Sequence, residues 1–257
     1  MNTSGAVDLN SDLGEGVGGS STGDDALLSV VTSANIACGF HAGDASIMRH
    51  VTHQAVSKGV SIGAHVAYRD LDGFGRRFMD VDPATLRDEV TYQIGALDGF
   101  ARLAGGRISY VKPHGGLYNA IGTHEAQATA VVAAVSAYDS GLVLMGLPGS
   151  VVLRRAEEAG LATAHEAFAD RAYTPEGHLV SRAEPGSVLH DPEAIARRCI
   201  AMASGEPIED VNGDPLTLHP DSICVHGDTP GAVEIARQVR ATLEGVGVSL
   251  APFAPRS

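Results

Sequence analysis

Tyr110-Val111-Lys112-Pro113-His114-Gly115-Gly116-Leu117-Tyr118-Asn119 is the stretch that decides the fold. An apolar strand signal ends in a lysine and a histidine, glycines follow, and a helical stretch begins. The arrangement recurs. Ile36-Ala37-Cys38-Gly39-Phe40-His41 leads into Gly43-Asp44, Ile62-Gly63-Ala64-His65 into Tyr68, and Ile223-Cys224-Val225-His226 into Gly227-Asp228. A chain that ends strand after strand in a histidine with a polar neighbour is building one site from many strand ends. Parallel β/α proteins make their active sites that way.

Working outward, strand signals cover residues 6–10, 34–39, 60–66, 108–112, 142–147, 161–168 and 222–226. A weaker one at 248–250 reads as an eighth strand or a terminal packing segment. Helical patterns lie between them. Asp44 is placed to cap a helix that ends near Gly59. Asp82-Pro83, Asp191-Pro192 and Thr229-Pro230 each read as an N-cap followed by proline at the first helical position, with the helices running to about Gly105, Gly205 and Gly245. Gly149-Ser150 opens another helix, and the alanine-rich residues 124–138 form a further one. Strict alternation of strand and helix implies parallel strands joined by right-handed crossovers. About seven strands in one domain predict a closed, somewhat distorted β/α barrel over residues 1–257 rather than an open doubly wound sheet. Residues 170–221 exceed what one β/α unit needs. With Pro175, Gly177, Pro185, Gly186, Pro207, Gly213 and Pro215, they read as a loop-rich insertion holding one helix and a hairpin over one face.

Bulk properties narrow the function. A net charge of −13 argues against a nucleic-acid partner, because phosphate backbones need a basic face. No apolar run is long enough to span a bilayer, and residues 1–6 lack a basic region followed by an apolar stretch, so the cytoplasm is the expected location. Cys38, Cys199 and Cys224 are odd in number and scattered, which disfavours disulfides and a zinc cluster of thiolates; Cys38 and Cys224 read as small buried residues. Lys58 and Lys112 stand against sixteen arginines, so Lys112 reads as a position requiring a compact ammonium.

Alternation along the first strand sends Asp8 and Asn10 to one face, which a barrel turns inward, and leaves Asp12 and Glu15 in the loop above. A buried acid is costly unless paired or functional, so Asp8 and Asp12 read as site residues and Glu15 as a solvated acid. Lys112 and His114 share parity, as do His226 and Asp228. His165 and Glu166 alternate, so one faces inward. Arg171 suits a two-point grip on a carboxylate or phosphate, or an ion pair with Asp170. His50, His53, His124, His178, His190 and His219 fall on helices or loops and read as surface residues. Neither a GxxxxGK[ST] phosphate loop nor an HExxH zinc motif is present.

Six blocks resemble the LamB/YcsF family: Asp8-Leu9-Asn10 with Asp12-Leu13-Gly14-Glu15, residues 34–44, Gly73-Phe74-Gly75-Arg76-Arg77, Val111-Lys112-Pro113-His114-Gly115, Phe168-Ala169-Asp170-Arg171-Ala172-Tyr173, and residues 224–232. Members of that family are the A subunit of bacterial 5-oxoprolinase. The resemblance implies a seven-stranded barrel of the glycoside hydrolase/deacetylase type. It also implies opening of 5-oxoproline to L-glutamate with hydrolysis of ATP, used with magnesium in a complex with subunits B and C. Ser11 stands where the family often has cysteine, which argues against a thiol mechanism; Val66 stands where it often has proline.

Water attack and ring opening need a base, an acid and cations for carboxylate and phosphate. The expected assignments are Asp12 or His114 as base, His226 or His41 as acid, and Lys112 and Arg171 as anion binders, with Asn10, His65 and Glu166 completing the substrate site. The rival reading is a self-sufficient metal-dependent amidohydrolase or deacetylase with Asp12, His41 and His65 as ligands. A third is a barrel that binds a small acid and regulates its partners. The residues themselves leave open whether this chain holds a metal.

Overall fold

The computed structural model describes residues 6–16, 23–226 and 231–254. In chain order its elements are β1 (Ala6–Leu13), α1 (Asp24–Leu27), β2 (Ser33–Ala37), α2 (Ala45–Lys58), β3 (Ser61–Val66), α3 (Pro83–Leu103), β4 (Tyr110–Pro113), α4 (Gly115–Ala120), α5 (Glu125–Tyr138), β5 (Val143–Gly146), α6 (Val151–Glu158) and β6 (Thr163–Phe168). Then follow α7 (Pro192–Ser204), β7 (Ile208–Glu209), β8 (Pro215–Leu216), β9 (Ser222–Cys224), α8 (Ala232–Gly245) and β10 (Ser249–Leu250).

β1 to β6 pair in sequence, all parallel. β9 pairs with β6 on one side and β1 on the other, closing a seven-stranded barrel. β3 is buried along its whole length, as a strand covered on both faces must be. β10 lies alongside Ala6 and Val7 at the start of β1. Beyond β10, Phe253 packs on the Tyr110 ring at 4.8 Å, and buried Ala254 joins a small cluster with Tyr110, Val143, Met145 and Ala164. The weak signal at 248–250 is therefore both an added strand and the lead-in to a plug under the barrel.

Helix boundaries follow local chemistry. The Asp44 carboxylate accepts from the amides of Ser46 and Ile47, and α2 stops at Gly59 in the left-handed region. Asp82 and Asp191 cap α3 and α7, each with proline at the helix start. α8 has Gly231 as its N-cap; the expected start at Thr229-Pro230 lies outside the described residues, as does Asp228. Residues 169–221 hold α7 and the β7–β8 hairpin, and residues 179–183 reach over the C-terminal ends of the strands.

Outward side chains such as Leu9 and Leu13 feed the apolar layer under the helices, whereas the barrel interior is polar. At its base, the Asp8 carboxylate accepts from the hydroxyls of Thr32, Ser33 and Ser222. One layer higher, Asn10 donates to Ser222, Asn35 donates to Asn10, and the Tyr110 hydroxyl donates to Asn35. The Tyr110 ring needs the space over Gly63, where a Cβ would lie 2.1 Å from ring carbon Cε2. Asp8 is thus a structural carboxyl at the closed end. Its expected site role is not met: inward alternation predicts the face of a strand, not the height along the barrel.

Candidate active site

The register of β2, β3 and β4 sets Ala37, His65 and Lys112 side by side, so the residues after them rise from one end of the barrel. A cavity of about 390 Å³ opens there. Asp12, Glu15, His65, Lys112, His114 and His226 face it, and Arg76, Tyr118, Arg171 and Arg182 stand at its wall and rim.

Lys112 forms the floor. It is 2% exposed, and its Nζ lies 2.8 Å from Asp12 Oδ1 and 2.7 Å from Glu166 Oε1. The Phe168 ring sits 5.2 Å from that ammonium, and the Tyr118 hydroxyl donates to Glu166 Oε2 at 2.8 Å. Burial works against the lysine's charge, but the carboxylates beside it hold its proton on, well above the ordinary lysine range. Burial likewise pushes Asp12 up, and His65 and Lys112 outweigh it, holding the carboxyl well below its usual range. Glu166, not His165, is the inward residue of β6.

Against the floor stands a histidine group. His65 donates from Nδ1 to the Lys112 carbonyl at 3.0 Å, and His114 donates from Nε2 to the Phe74 carbonyl at 2.9 Å. His41 stacks on His114 at 3.8 Å with its Nε2 3.1 Å from Glu15 Oε1. Burial drives the protons off His41 and His114, whose basicity falls well below the histidine norm; His65, drawn by Asp12, is raised despite its burial. The loop bearing Phe74 owes its shape to glycine and strain. Phe74 has φ +52°, and a Cβ on Gly75 (φ +64°) would sit 2.6 Å from His41 Cβ and 2.9 Å from His114 Cδ2.

His226 stands across the cavity. Its Nδ1 is 2.7 Å from Asp170 Oδ1, and its ring stacks on Phe168 at 5.4 Å. Burial would raise Asp170, but His226 holds it below the ordinary carboxylate range. With Nδ1 committed to Asp170, Nε2 is the nitrogen left for chemistry, the division of labour seen wherever a carboxylate orients a catalytic imidazole.

Sequence reading and structure differ in places. Asp12, His65, Lys112, His114, His226 and Arg171 reach the cavity wall, but His41, Glu166 and Asn10 lie behind or beneath that lining. Arg171 lines the cavity but makes no ion pair with Asp170; it donates to the carbonyls of Ser187 and Val180, tying down the loop over the cavity. Glu15, read as a solvated acid, is turned in among the histidines. Asp170 carries no signal of its own in the sequence, because Arg171 follows it and offers it a partner. Cys38 and Cys224 are buried thiols, the first pushed by burial up to about 12 and the second well above its norm, so neither is a ready nucleophile.

The same blocks that build this cavity carry the family signature. The LamB/YcsF family pattern matches residues 7–257. The chain belongs to the LamB/YcsF family. The A subunit of 5-oxoprolinase from Streptomyces griseus subsp. griseus is 57% identical over 249 residues, covering 96% of this chain and 100% of that protein. Its counterpart from Kocuria rhizophila is 55% identical, covering 96% and 99%. The crystal structure of a lactam utilization protein from Thermus thermophilus superposes with a TM-score of 0.91 at 41% identity, covering 96% of this chain and 99% of that one. As a LamB/YcsF member the chain shares its fold with proteins named for lactam chemistry, and its barrel is of the TIM-like α/β type. Among the described residues, no helix is long and apolar enough to cross a membrane.

Proposed function

We propose that this chain is the hydrolytic subunit of an ATP-dependent 5-oxoprolinase, opening 5-oxoproline to L-glutamate with B and C subunits in the cytoplasm. The observation that carries this reading is the pairing, across one cavity, of an Asp170-oriented His226 with the Lys112–Asp12 floor. An unactivated lactam is a poor electrophile. Transfer of the ATP γ-phosphoryl group to the lactam oxygen, with magnesium and partner subunits, makes that carbon attackable. Nothing in this sequence resembles a phosphate loop, so the transfer is assigned to the partners. Here, His226 takes a proton from water as it adds to the activated carbon. It then returns a proton to the ring nitrogen as the C–N bond breaks. A second water releases phosphate from the resulting acyl phosphate. Two expected roles change in this reading. His114 has one ring nitrogen against His65 and the other on the Phe74 carbonyl, and Asp12 is too weakly basic beside His65 and Lys112 to serve as the base. Asp12 instead suits the lactam N–H, while Arg76 and Arg182 suit the substrate's anionic groups.

The test is glutamate release from the purified chain mixed with B, C, ATP and magnesium. Asp170→Asn should fold normally and lower turnover about 100-fold, and His226→Gln more. The chain alone should release nothing. ATP-independent release by the chain alone, or full turnover in both variants, would sink the proposal.

A further inference from the structure

Three histidine nitrogens and one carboxylate oxygen converge in the wall of the cavity, all within 4.8 Å of one another. The nearest pair is His65 Nε2 and His114 Nδ1, 2.9 Å apart. The other nitrogen of each ring donates to a backbone carbonyl, Lys112 for His65 and Phe74 for His114. Two imidazoles so anchored turn their inner nitrogens toward each other with at most one proton between them, and a cation entering there would take that proton's place. Glu15 Oε1 completes the group at 3.1 Å from His41 Nε2, 3.4 Å from His114 Nδ1 and 3.8 Å from His65 Nε2.

We propose that Glu15, His41, His65 and His114 form a binding site for a divalent transition-metal ion of the zinc type. Ligands about 2.05 Å from a tetrahedral ion stand about 3.3 Å apart. The recorded separations of 2.9, 3.1, 3.4 and 3.8 Å straddle that edge length. Ring N–H groups donated to backbone carbonyls are the usual outer support of metal-bound histidines; they fix the tautomer and aim the free nitrogen. Imidazole donors select zinc-like ions over magnesium or calcium, which prefer oxygen. The donor set also suits the charge: with the ion bound, three imidazoles and one carboxylate would leave a divalent ion with one net positive charge, beside the Asp12 carboxylate, whose Oδ2 is 3.4 Å from His65 Nε2. Glu15, His65 and His114 border the cavity, which gives the ion a way in. The site is not the triad expected from sequence. Asp12 is committed to Lys112, while Glu15 and His114 enter. Metal binding is measured on the isolated chain, so this site stands apart from the lactam reading.

A tag-free chain, purified without chelators, should carry about one zinc-type ion per chain by elemental mass spectrometry. After chelator treatment, calorimetric titration with Zn²⁺ should show saturable one-to-one binding. Glu15→Gln, nearly isosteric, should weaken that binding at least about 100-fold, and His65→Ala with His114→Ala should abolish it. Asp8→Asn, at the far end of the barrel, should bind as the parent chain does. Circular dichroism establishes that each variant is folded. A metal-free native chain that gives no saturable Zn²⁺ binding would overturn the site and leave the His65–His114 contact to a shared proton. One-to-one binding unchanged by Glu15→Gln would overturn it too. Glutamate release in the reconstituted mixture fails or succeeds separately, so the two readings fall independently.

Discussion

Asp8 and Asp12 sit four residues apart on the same strand and point into the same barrel, yet they do opposite things. Asp8 is surrounded by hydroxyls rather than cations, and burial pushes its carboxyl up to about 6. Asp12 lies between Lys112 and His65 and stays charged far into acid. Below Asp8 the barrel is stopped by Phe253 and Ala254; above Asp12 it opens into the cavity. The strand supplies two equivalent carboxylates, and the strands opposite decide which becomes a structural peg and which a site anion. A buried acid becomes a functional anion only where the fold delivers a cation to the same height.

The comparison breaks most visibly at Lys112. Removing its ammonium as Lys112→Met strands Asp12 and Glu166 in the interior and should cost about 3–5 kcal/mol of stability in urea denaturation, along with turnover in the reconstituted mixture. Asp8→Asn should leave turnover within about twofold, since hydroxyl partners can reorient to an amide. If Lys112→Met were neutral, or Asp8→Asn inactive, the two layers would not differ in kind.

A smaller effect separates the layers by pH. The folded state holds the Asp8 proton more tightly than the unfolded chain, whose carboxyl titrates near 3.8. Asp8 therefore favours the fold at pH below about 4 and loses that contribution as pH rises to about 6, a difference of about 3 kcal/mol at about 1.4 kcal/mol per pH unit. Asp24, also raised by burial to about 6, slopes the same way, so the quantity to read is the difference between the parent chain and Asp8→Asn. Parent stability should fall relative to the variant between pH 4 and pH 7. Parallel curves would show that Asp8 is ionised without penalty.

The smallest predicted effect is at the plug. Phe253→Ala should cost about 1–2 kcal/mol through lost contact with Tyr110, with turnover unchanged. A large drop in turnover would mean that the floor of the barrel communicates with the cavity.

The same contrast shows what could be read in the residues. Apolar runs of strand length, aspartates before prolines and closing glycines mark seven strands and most helix ends, because each signal is local. Histidines at strand ends point to one end of the barrel for the same reason. Asp8 is misplaced by sequence because height along a barrel depends on register with distant strands, which sets Asp8 beside Ser222 and Asn10 beside Cys224. Glu15 escapes notice because an acid between glycines looks solvated until three separate strand ends turn histidines toward it. Asp170 and Arg171 are neighbours in the chain that project to different partners, and adjacency alone suggests an ion pair that does not form.

Ring closure by β9 against β1 also has a consequence for how the protein comes into being. β1 spans residues 6–13 and its closing partner residues 222–224, while the plug waits for residue 254. During synthesis the first strand emerges long before the strand that completes its hydrogen bonding, and an open strand edge is a template for pairing with other chains. Contacts this distant in sequence make folding slow and leave the growing chain exposed to aggregation. The step that seals the barrel is therefore late, and a newly made chain depends for much of its synthesis on being kept from its neighbours.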